Sequence, residues 1–589
     1  MSIIRKVAAG MAPYQRLLVT AALLLFSHAA LAKVDVTVDI QGVKGELLDN
    51  VRAFLSIEQQ KSDPSLSAGR LQRLHLKADQ EIRQALQPFG YYHPEIKKDL
   101  QHKDDKWTAS YYINPGVPVR ITKVDLKITG EGARDPEFQS LISQFPLRRG
   151  DILNQQQFED AKDGFHNLAT ERGYFDFNLT RHVLRVDLKA NTAEVVLHMD
   201  TGKRYLFGRV EFNQDFLNDN LLQRYLTFSK GDPYSTNKLL DLHSALSNSD
   251  YFSKIDIQAQ RDQTEDLEVP IRVDLTARPK NRYSASIGYG TDTGARVGLG
   301  WDIRRINRRG HHMKNSLRVS QVQNSLSSSY IIPARDPRTD FYAINTSGNT
   351  EKTSTSKTKI LSFGVSQTIS RHSGWLETLY IDLHRELYTV GDQSGDATLV
   401  VPGTTWTRIH ADNRIYTRRG DRISIDLKGS HPSLGSSSVF VQTRIQAKLI
   451  RGVTDESRVI LRGDLGLTYV GNFFTLPPSF RYFAGGDQSV RGYGYNSLGP
   501  TDSSGKVVGG NQLMVGSIEF EHTITGKWSG AIFYDVGNAI NDFATNLKKG
   551  AGFGVRWRSP IGMLRFDLAW ALSKPGTPVR IHFNVGPDL

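Results

Sequence analysis

The segment Tyr283–Gly290, with the sequence YSASIGYG, decides the fold class of the second half of this chain. Successive side chains of a β-strand point to opposite faces. One face of this segment is therefore apolar, with Tyr283, Ala285, Ile287 and Tyr289. The other face carries only serine and glycine, including Gly288 and Gly290. This alternation predicts a strand with one apolar and one polar face.

The same alternation recurs toward the C-terminus, in segments that place charged side chains on the polar face. The clearest are 423–427, 441–449, 553–557, 564–570 and 579–585. About 16 such segments fit between residues 281 and 586. Bacterial outer-membrane barrels have an even number of strands, and about 10 residues cross a bilayer when tilted. A soluble β-sandwich would not need charges on one face of so many consecutive strands. The sequence predicts an all-β, 16-stranded transmembrane β-barrel over residues 278–589.

The N-terminus has the pattern of an export signal. Arg5, Lys6 and Arg16 precede the apolar run 17–26, and the run is followed by Ala30-Leu31-Ala32. A membrane anchor needs roughly 20 apolar residues, whereas a run of this length before an A-x-A site is typical of a signal peptide. We predict that residues 1–32 are a cleaved signal peptide. Export and a barrel together predict the outer membrane of a Gram-negative cell.

The composition excludes several chemistries. The 589 residues contain no cysteine, which excludes disulfides, thiolate metal sites and cysteine nucleophiles. The mean hydropathy of −0.39 excludes a polytopic helical membrane protein, but not a barrel, because half of each barrel strand is polar. For an exported barrel, the formal charge of +13 favours membrane lipids and lipopolysaccharide phosphates over nucleic acid as contacts.

A module is repeated three times before the barrel. Each copy has a helix-period stretch that ends on a small or polar residue followed by two aromatic residues. The residue before the aromatics is Gly90, Gly173 or Asp250, and the pairs start at 91, 174 and 251, a period of about 80 residues. Each copy predicts an α+β module with a strand, two helices and two further strands. The predicted modules are 33–116, 117–201 and 202–277, and their sheet edges could accept an extended peptide as an added strand.

A loop of about 40 residues, 471–511, separates two predicted barrel strands, far more than an ordinary connection. It contains Val490, Arg491, Gly492 and Tyr493. If the loop folds into the lumen, the Arg491 guanidinium loses water and needs a carboxylate with good fork geometry. Asp535, between Phe533 and Gly537, has the inward register and is the predicted partner.

Val490-Arg491-Gly492-Tyr493, the pattern Phe533-x-Asp535-x-Gly537 and the tandem modules resemble the superfamily of outer-membrane barrels with periplasmic POTRA modules. That superfamily includes BamA, TamA and the two-partner secretion transporters, and the resemblance covers nearly the whole chain after the signal. It implies that Arg491 and Asp535 lock the loop to the barrel wall. Three modules are typical of the TamA-like members.

The resemblance also implies a function without catalysis. A weak junction between the first and last strands would act as a lateral gate for client strands. The gate residues are predicted on the first strand at Tyr283, Ala285, Ile287, Gly288, Tyr289 and Gly290, and on the last strand at Val579, Ile581, Phe583, Val585 and Gly586. The clients would be autotransporters and other outer-membrane proteins, and the modules would bind a periplasm-spanning inner-membrane partner of the TamB type.

Two alternatives compete with this interpretation. The chain could be a secretion pore of the two-partner type that threads substrate through the barrel lumen. An enzyme is disfavoured because the chain lacks a G-x-S-x-G elbow, an HExxH motif and a Walker A motif. His311 and His312 are not predicted to bind metal, since adjacent residues of a strand point to opposite faces. We therefore expect no cofactor, no metal and no catalytic residue.

Overall fold

The computed structural model describes residues 35–104, 106–413, 416–559 and 562–586. The predicted signal peptide, 1–32, and Pro587 lie outside these residues. The chain divides into two compact units. One comprises residues up to Gly208 with Lys230–Asn237 and Arg261–Val269, and the other comprises Arg209–Ser229, Lys238–Gln260 and the chain from Pro270 onward. Among the described residues, no helix is both long enough and apolar enough to cross a membrane.

Each of the three modules contains a three-stranded sheet and helices. In the first two modules the first strand pairs in parallel with the third, which occupies the centre of the sheet. The first module comprises β1 (Asp35–Gln41), α1 (Glu46–Phe54), α2 (Ser56–Gln60), α3 (Ala68–Leu86), β2 (Glu95–Lys103) and β3 (Lys106–Asn114). The second comprises β4 (Arg120–Thr129), α4 (Pro136–Ser143), α5 (Gln155–Glu171), β5 (Asn178–Asp187) and β6 (Thr192–Asp200). The third comprises β7 (Leu206–Asn213), α6 (Asp219–Gln223), α7 (Thr236–Asn248), β8 (Phe252–Ala259) and β9 (Glu268–Ala277).

Amphipathic helices build the module cores. In the first module, α3 starts where the Ser67 hydroxyl accepts the Arg70 N–H at 3.3 Å, which satisfies one of the free donors of the first turn. The helix then buries Leu71, Ala78 and Ile82 against the sheet. In the second module, Tyr174 of the aromatic pair packs edge-on to Phe138, with ring centroids 5.6 Å apart. The first ring of that pair therefore belongs to the core, as its position after the helix predicts.

The prediction of 16 barrel strands is confirmed: one sheet contains them in sequence order. Neighbouring strands are antiparallel, and their lengths run from 8 to 19 residues. The strands β10–β25 are Asn281–Gly290, Gly294–Ile303, His312–Ser320, Gln323–Pro333, Phe341–Lys352, Ser356–Ser370, Trp375–Val390, Gln393–Ala411, Arg419–Ser430, Phe440–Gly452, Ser457–Val470, Gln512–Thr525, Trp528–Ile540, Lys548–Ser559, Gly562–Ala571 and Val579–Gly586.

The two faces of the barrel wall differ as the alternation predicts. On β15, the side chains of Leu361, Phe363 and Val365 are exposed on the outer face. Inward residues such as Glu386 and Gln442 are buried although they are polar. A wall that is apolar outside and polar inside is the arrangement required by a barrel in lipid.

Candidate functional site

The first and last strands of the barrel, β10 and β25, form the two ends of the sheet, and no hydrogen-bonded ladder joins them among the described residues. We call the junction between these two edges the seam. Among the described residues, hydrogen bonds of the backbone bridge the seam at one end. The Thr291 N–H donates to the Phe583 carbonyl at 3.2 Å, and the Phe583 N–H donates to the Thr291 hydroxyl at 2.7 Å. The Arg296 guanidinium also reaches the Val585 carbonyl at 3.2 Å.

The strand lengths explain why pairing stops there. First and last strands of an even-numbered antiparallel barrel run in opposite directions. If the contact between Thr291 and Phe583 sets the register, Gly288 lies opposite Gly586, where β25 ends. The next residue, Pro587, has no N–H to donate. Within the described part of the chain, which stops at residue 586, the edge from Asn281 to Ile287 therefore has no β25 residue opposite it.

Side-chain exposure shows the same gap. Ile287 on β10 is 90% exposed, whereas Val297, which is paired with it on β11, is 51% exposed. Both side chains are apolar and lie on the lipid-facing side of the wall. The excess at Ile287 fits a strand that has no neighbour on one flank among the described residues. In lipid, each unpaired N–H or C=O on such an edge costs several kcal/mol, which favours any strand that can pair with it.

The long loop 471–511 places Arg491 in a buried ionic cluster on the barrel wall. The guanidinium binds Asp535 in a fork, with Nε–Oδ2 at 2.8 Å and Nη2–Oδ1 at 2.9 Å. The Arg491 backbone N–H also donates to Asp535 Oδ2 at 3.0 Å. The guanidinium carbon lies 3.4 Å from the centre of the Phe533 ring. The structure thus brings together the two charged residues that the sequence pairs.

Two further carboxylates surround this arginine, so the prediction of Asp535 as its one partner is incomplete. Arg491 Nη1 lies 2.7 Å from Glu519 Oε2 and 3.2 Å from Asp567 Oδ2. Arg556 neutralises the same two carboxylates, at 2.8 Å from Glu519 and 2.5 Å from Asp567. The four side chains other than Asp535 are at most 10% exposed, and Asp535 is fully buried. We call these five residues the loop lock: Arg491, Asp535, Glu519, Asp567 and Arg556.

The other predicted residues of the loop motif let the backbone approach the wall. Gly492 has φ +93°, and a Cβ there would lie 2.9 Å from the Ala571 nitrogen. A Cβ on Gly537 would lie 2.5 Å from the Met514 carbonyl oxygen. Val490 is buried, and the Tyr493 hydroxyl accepts the Ser573 N–H at 3.2 Å. A bulkier residue at Gly492 would push the loop away from the wall, whereas one at Gly537 would clash with the neighbouring barrel strand β21.

A second group of residues ties the loop to both sides of the seam, and the sequence interpretation missed it. Asp487 in the loop lies 2.5 Å from His582 Nδ1 on β25. The Asp487 N–H donates at 2.6 Å to Asp292 Oδ2, in the turn between β10 and β11. Ligand atoms of these three residues lie within 4.8 Å of one another, as in a metal site. However, His582 Nε2 accepts the Gly492 N–H at 2.9 Å, so both ring nitrogens are engaged and the geometry supports a hydrogen-bond network.

The Omp85 superfamily domain matches residues 218–588, which is more than half of the chain. The chain belongs to the Omp85 superfamily. Residues 37–115 match the family described as "POTRA domain TamA domain 1", and residues 121–202 match the POTRA family described as "Surface antigen variable number repeat". The protein is therefore an outer-membrane β-barrel with POTRA modules.

Two relatives of this chain have the same protein name. The chain is 23% identical over 473 residues to "Outer membrane protein assembly factor BamA" of Neorickettsia risticii, covering 74% of this chain and 62% of that protein. It is 23% identical to the protein of the same name from Neisseria meningitidis serogroup B, covering 84% of this chain and 70% of the other. The chain thus spans about two thirds of the length of these relatives.

A solved structure shares the fold. BamA from Haemophilus ducreyi lacking POTRA domains 1–3 superposes with a TM-score of 0.67 at 16% identity, covering 80% of this chain and 99% of that one. The agreement supports the arrangement of POTRA modules followed by a 16-stranded barrel.

Proposed function

We propose that this Omp85 protein assembles β-barrel clients, autotransporters among them, into the outer membrane by pairing client strands with the exposed edge of β10. The observation that carries the proposal is the seam, where no described residue forms a partner strand for the edge from Asn281 to Ile287. The free N–H and C=O groups of this edge can template an incoming strand through main-chain hydrogen bonds. This function needs neither a catalytic residue nor a cofactor.

The loop lock favours this proposal over the secretion pore. Threading a substrate through the lumen requires room beside the loop or displacement of the loop. Displacing the loop would separate Arg491 from Asp535, Glu519 and Asp567 and leave buried charges unpaired, which is costly. Opening the seam breaks the contacts around Thr291 and Phe583 and the bridge that Asp487 makes between Asp292 and His582. The lateral route therefore leaves the five buried charges of the loop lock paired.

The modules supply sites for partners in this proposal. In the first two sheets the third strand is central, so among the described residues β1, β2 and β5 each have a flank with no further strand. The start of β4 is already bridged, by Arg120 to Ile152. We propose that the modules lie in the periplasm, and that these edges receive client segments and an elongated partner of the TamB type. The match of residues 37–115 to the first POTRA domain of TamA supports that assignment.

Reconstitution tests the proposed function. Vesicles containing the full chain are mixed with a urea-unfolded autotransporter, and insertion is followed by protease protection and by heat-modifiable gel migration of the client barrel. We expect faster insertion than in protein-free vesicles, and no acceleration for a client that lacks its last strand. Passage of a soluble passenger across the membrane without insertion of a barrel would contradict the proposal and favour a secretion pore.

A further inference from the structure

The residue before each aromatic pair has left-handed backbone geometry in all three modules. Its φ is +81° at Gly90, +81° at Gly173 and +63° at Asp250. Glycine adopts this conformation without steric cost, whereas aspartate adopts it less readily. The third module therefore carries a side chain at the point of the repeat where the other two have none.

The two glycines lie where one module contacts the next. A Cβ on Gly90 would lie 2.7 Å from the Leu153 carbonyl oxygen in the second module. A Cβ on Gly173 would lie 2.7 Å from the Tyr234 Cβ in the third module. The glycine carbonyls accept N–H groups from the following connectors, Val119 and Tyr205, both at 2.8 Å. This position of the repeat is therefore a contact point with the next domain along the chain.

In the third module the next domain is the barrel, and the contact at this position is ionic. Asp250 Oδ1 lies 2.5 Å from Arg278 Nη1, in the connector before β10. Asp250 Oδ2 lies 2.9 Å from Arg304 Nε, which follows β11, and 3.4 Å from Arg282 Nη1 on β10. Burial opposes ionisation of this carboxyl, but its hydrogen bonds to Arg304 and Arg278 and the charge of Arg282 lower its pKa. It is charged at neutral pH.

The arginines belong to the hairpin that carries the seam. Arg282 also binds Asp302, opposite it on β11, with Nη2–Oδ2 at 2.5 Å. The Arg278 N–H donates to the Tyr251 carbonyl at 2.8 Å, and the Tyr251 hydroxyl donates to the Gly310 carbonyl at 2.5 Å. These contacts all lie within the unit that contains the barrel. Asp250, Arg282, Asp302 and Arg304 line a cavity of about 810 Å³.

We propose that Asp250 is a positioning residue that fixes the start of β10 to the third module, so that the unpaired edge is presented to a client in one register. The contacts at Thr291 hold the other end of the same strand. The free part of the edge then lies between two anchored ends. The presentation of the edge to a client rests on the proposed function, whereas the contacts of Asp250 with the hairpin do not depend on it.

Spin-label distances test the geometry separately from function. Because the chain has no cysteine, a pair of labelling sites can be introduced with one cysteine at Lys254 on β8 and one at Ser284 on β10. Both positions are exposed. We expect the distance distribution between these labels to broaden in Asp250→Asn and in Asp250→Gly. Asp250→Gly restores the residue of the other two modules, so the thermal unfolding of the protein should not shift downward. Asp250→Asn keeps a side chain that tolerates this backbone region.

Asp266→Gly is the matched control. Asp266 also lies in the third module with φ +48° and is exposed, so this variant removes a carboxylate and relieves backbone strain in the same way. We expect its distance distribution to stay as in the wild type. Client assembly should slow by roughly tenfold or more in both Asp250 variants, because each weakens or removes charge-assisted hydrogen bonds to three arginines. It should not slow in Asp266→Gly.

The outcomes separate the two proposals. Unchanged distances in both Asp250 variants would overturn the positioning role, whatever the assembly rate. Broadened distances with wild-type assembly would also overturn it, because the register would not matter to clients. If the wild type itself fails to assemble clients while the distances broaden as expected, the proposed function is wrong and the tether between Asp250 and the hairpin stands.

Discussion

Replacing Arg491 by alanine is expected to lower the free energy of unfolding by about 3–5 kcal/mol, the cost of leaving buried charges without their partner. Asp535 loses its fork, while Glu519 and Asp567 keep their contacts with Arg556. The loop should leave the wall, and client assembly should fall with it. Urea titration with heat-modifiable gel migration in micelles measures the stability, and protease cleavage within 471–511 measures loop release.

The matched control is Arg444→Ala. Arg444 also forms a fork with an inward carboxylate, Asp464, at 2.9 and 2.6 Å, but its side chain is 42% exposed. Exposed pairs contribute about 0–1 kcal/mol, so this variant should remain near the wild type. Arg491→Lys should be almost as unstable as Arg491→Ala, because an ammonium cannot reproduce the fork. Equal stability of Arg491→Ala and Arg444→Ala would show that the buried cluster does not hold the loop.

A disulfide across the bridged end of the seam is expected to abolish client assembly. The backbone contact between Thr291 and Phe583, at 3.2 Å, brings the two residues to the separation of a hydrogen-bonded strand pair. That separation, about 5.5 Å between Cα atoms, lies within disulfide range. The doubly substituted protein, Thr291→Cys with Phe583→Cys, should be inactive when oxidised and active when reduced. Assembly at the wild-type rate in the oxidised form would mean that the seam does not open at this end.

The control for the disulfide between residues 291 and 583 is a second disulfide that does not cross the seam. Thr404 and Leu427 are paired residues on the interior strands β17 and β18. Joining them through cysteines adds a crosslink of the same chemistry far from β10 and β25. Assembly should be the same in its oxidised and reduced forms. Loss of assembly there on oxidation would indicate a general effect of oxidation.

The strands were predictable because their signal is local. A period of two within 8 to 10 residues, as in Tyr283–Gly290, determines which face meets lipid without knowledge of the neighbouring strand. Asp535 was predictable as a partner because a buried arginine requires a carboxylate and the register of β22 points that side chain inward. Each of these arguments uses the sequence of a single strand and no information about its neighbours.

The rest of the site depends on contacts between residues that are far apart in the sequence. Arg491 contacts Asp567 across 76 residues of sequence, and Asp487 contacts His582 across 95. Such contacts follow from the register of strands β21 to β25 around the barrel, which a single strand does not specify. The gap in the seam likewise depends on where β25 ends relative to β10. The role of Asp250 required the arginines of a different domain to be placed beside it.

Disulfide capture of a client in living cells tests the central claim most directly. Single cysteines are placed from Ala285 to Tyr289 on the seam edge, and one at Arg444 beside the loop as a lumen control. A second cysteine lies in the last strand of an autotransporter client. Client-strand templating predicts that the client is captured at the β10 positions and not at residue 444. Capture at residue 444 alone, with the substrate released outside the cell, would contradict the lateral route and support passage through the lumen.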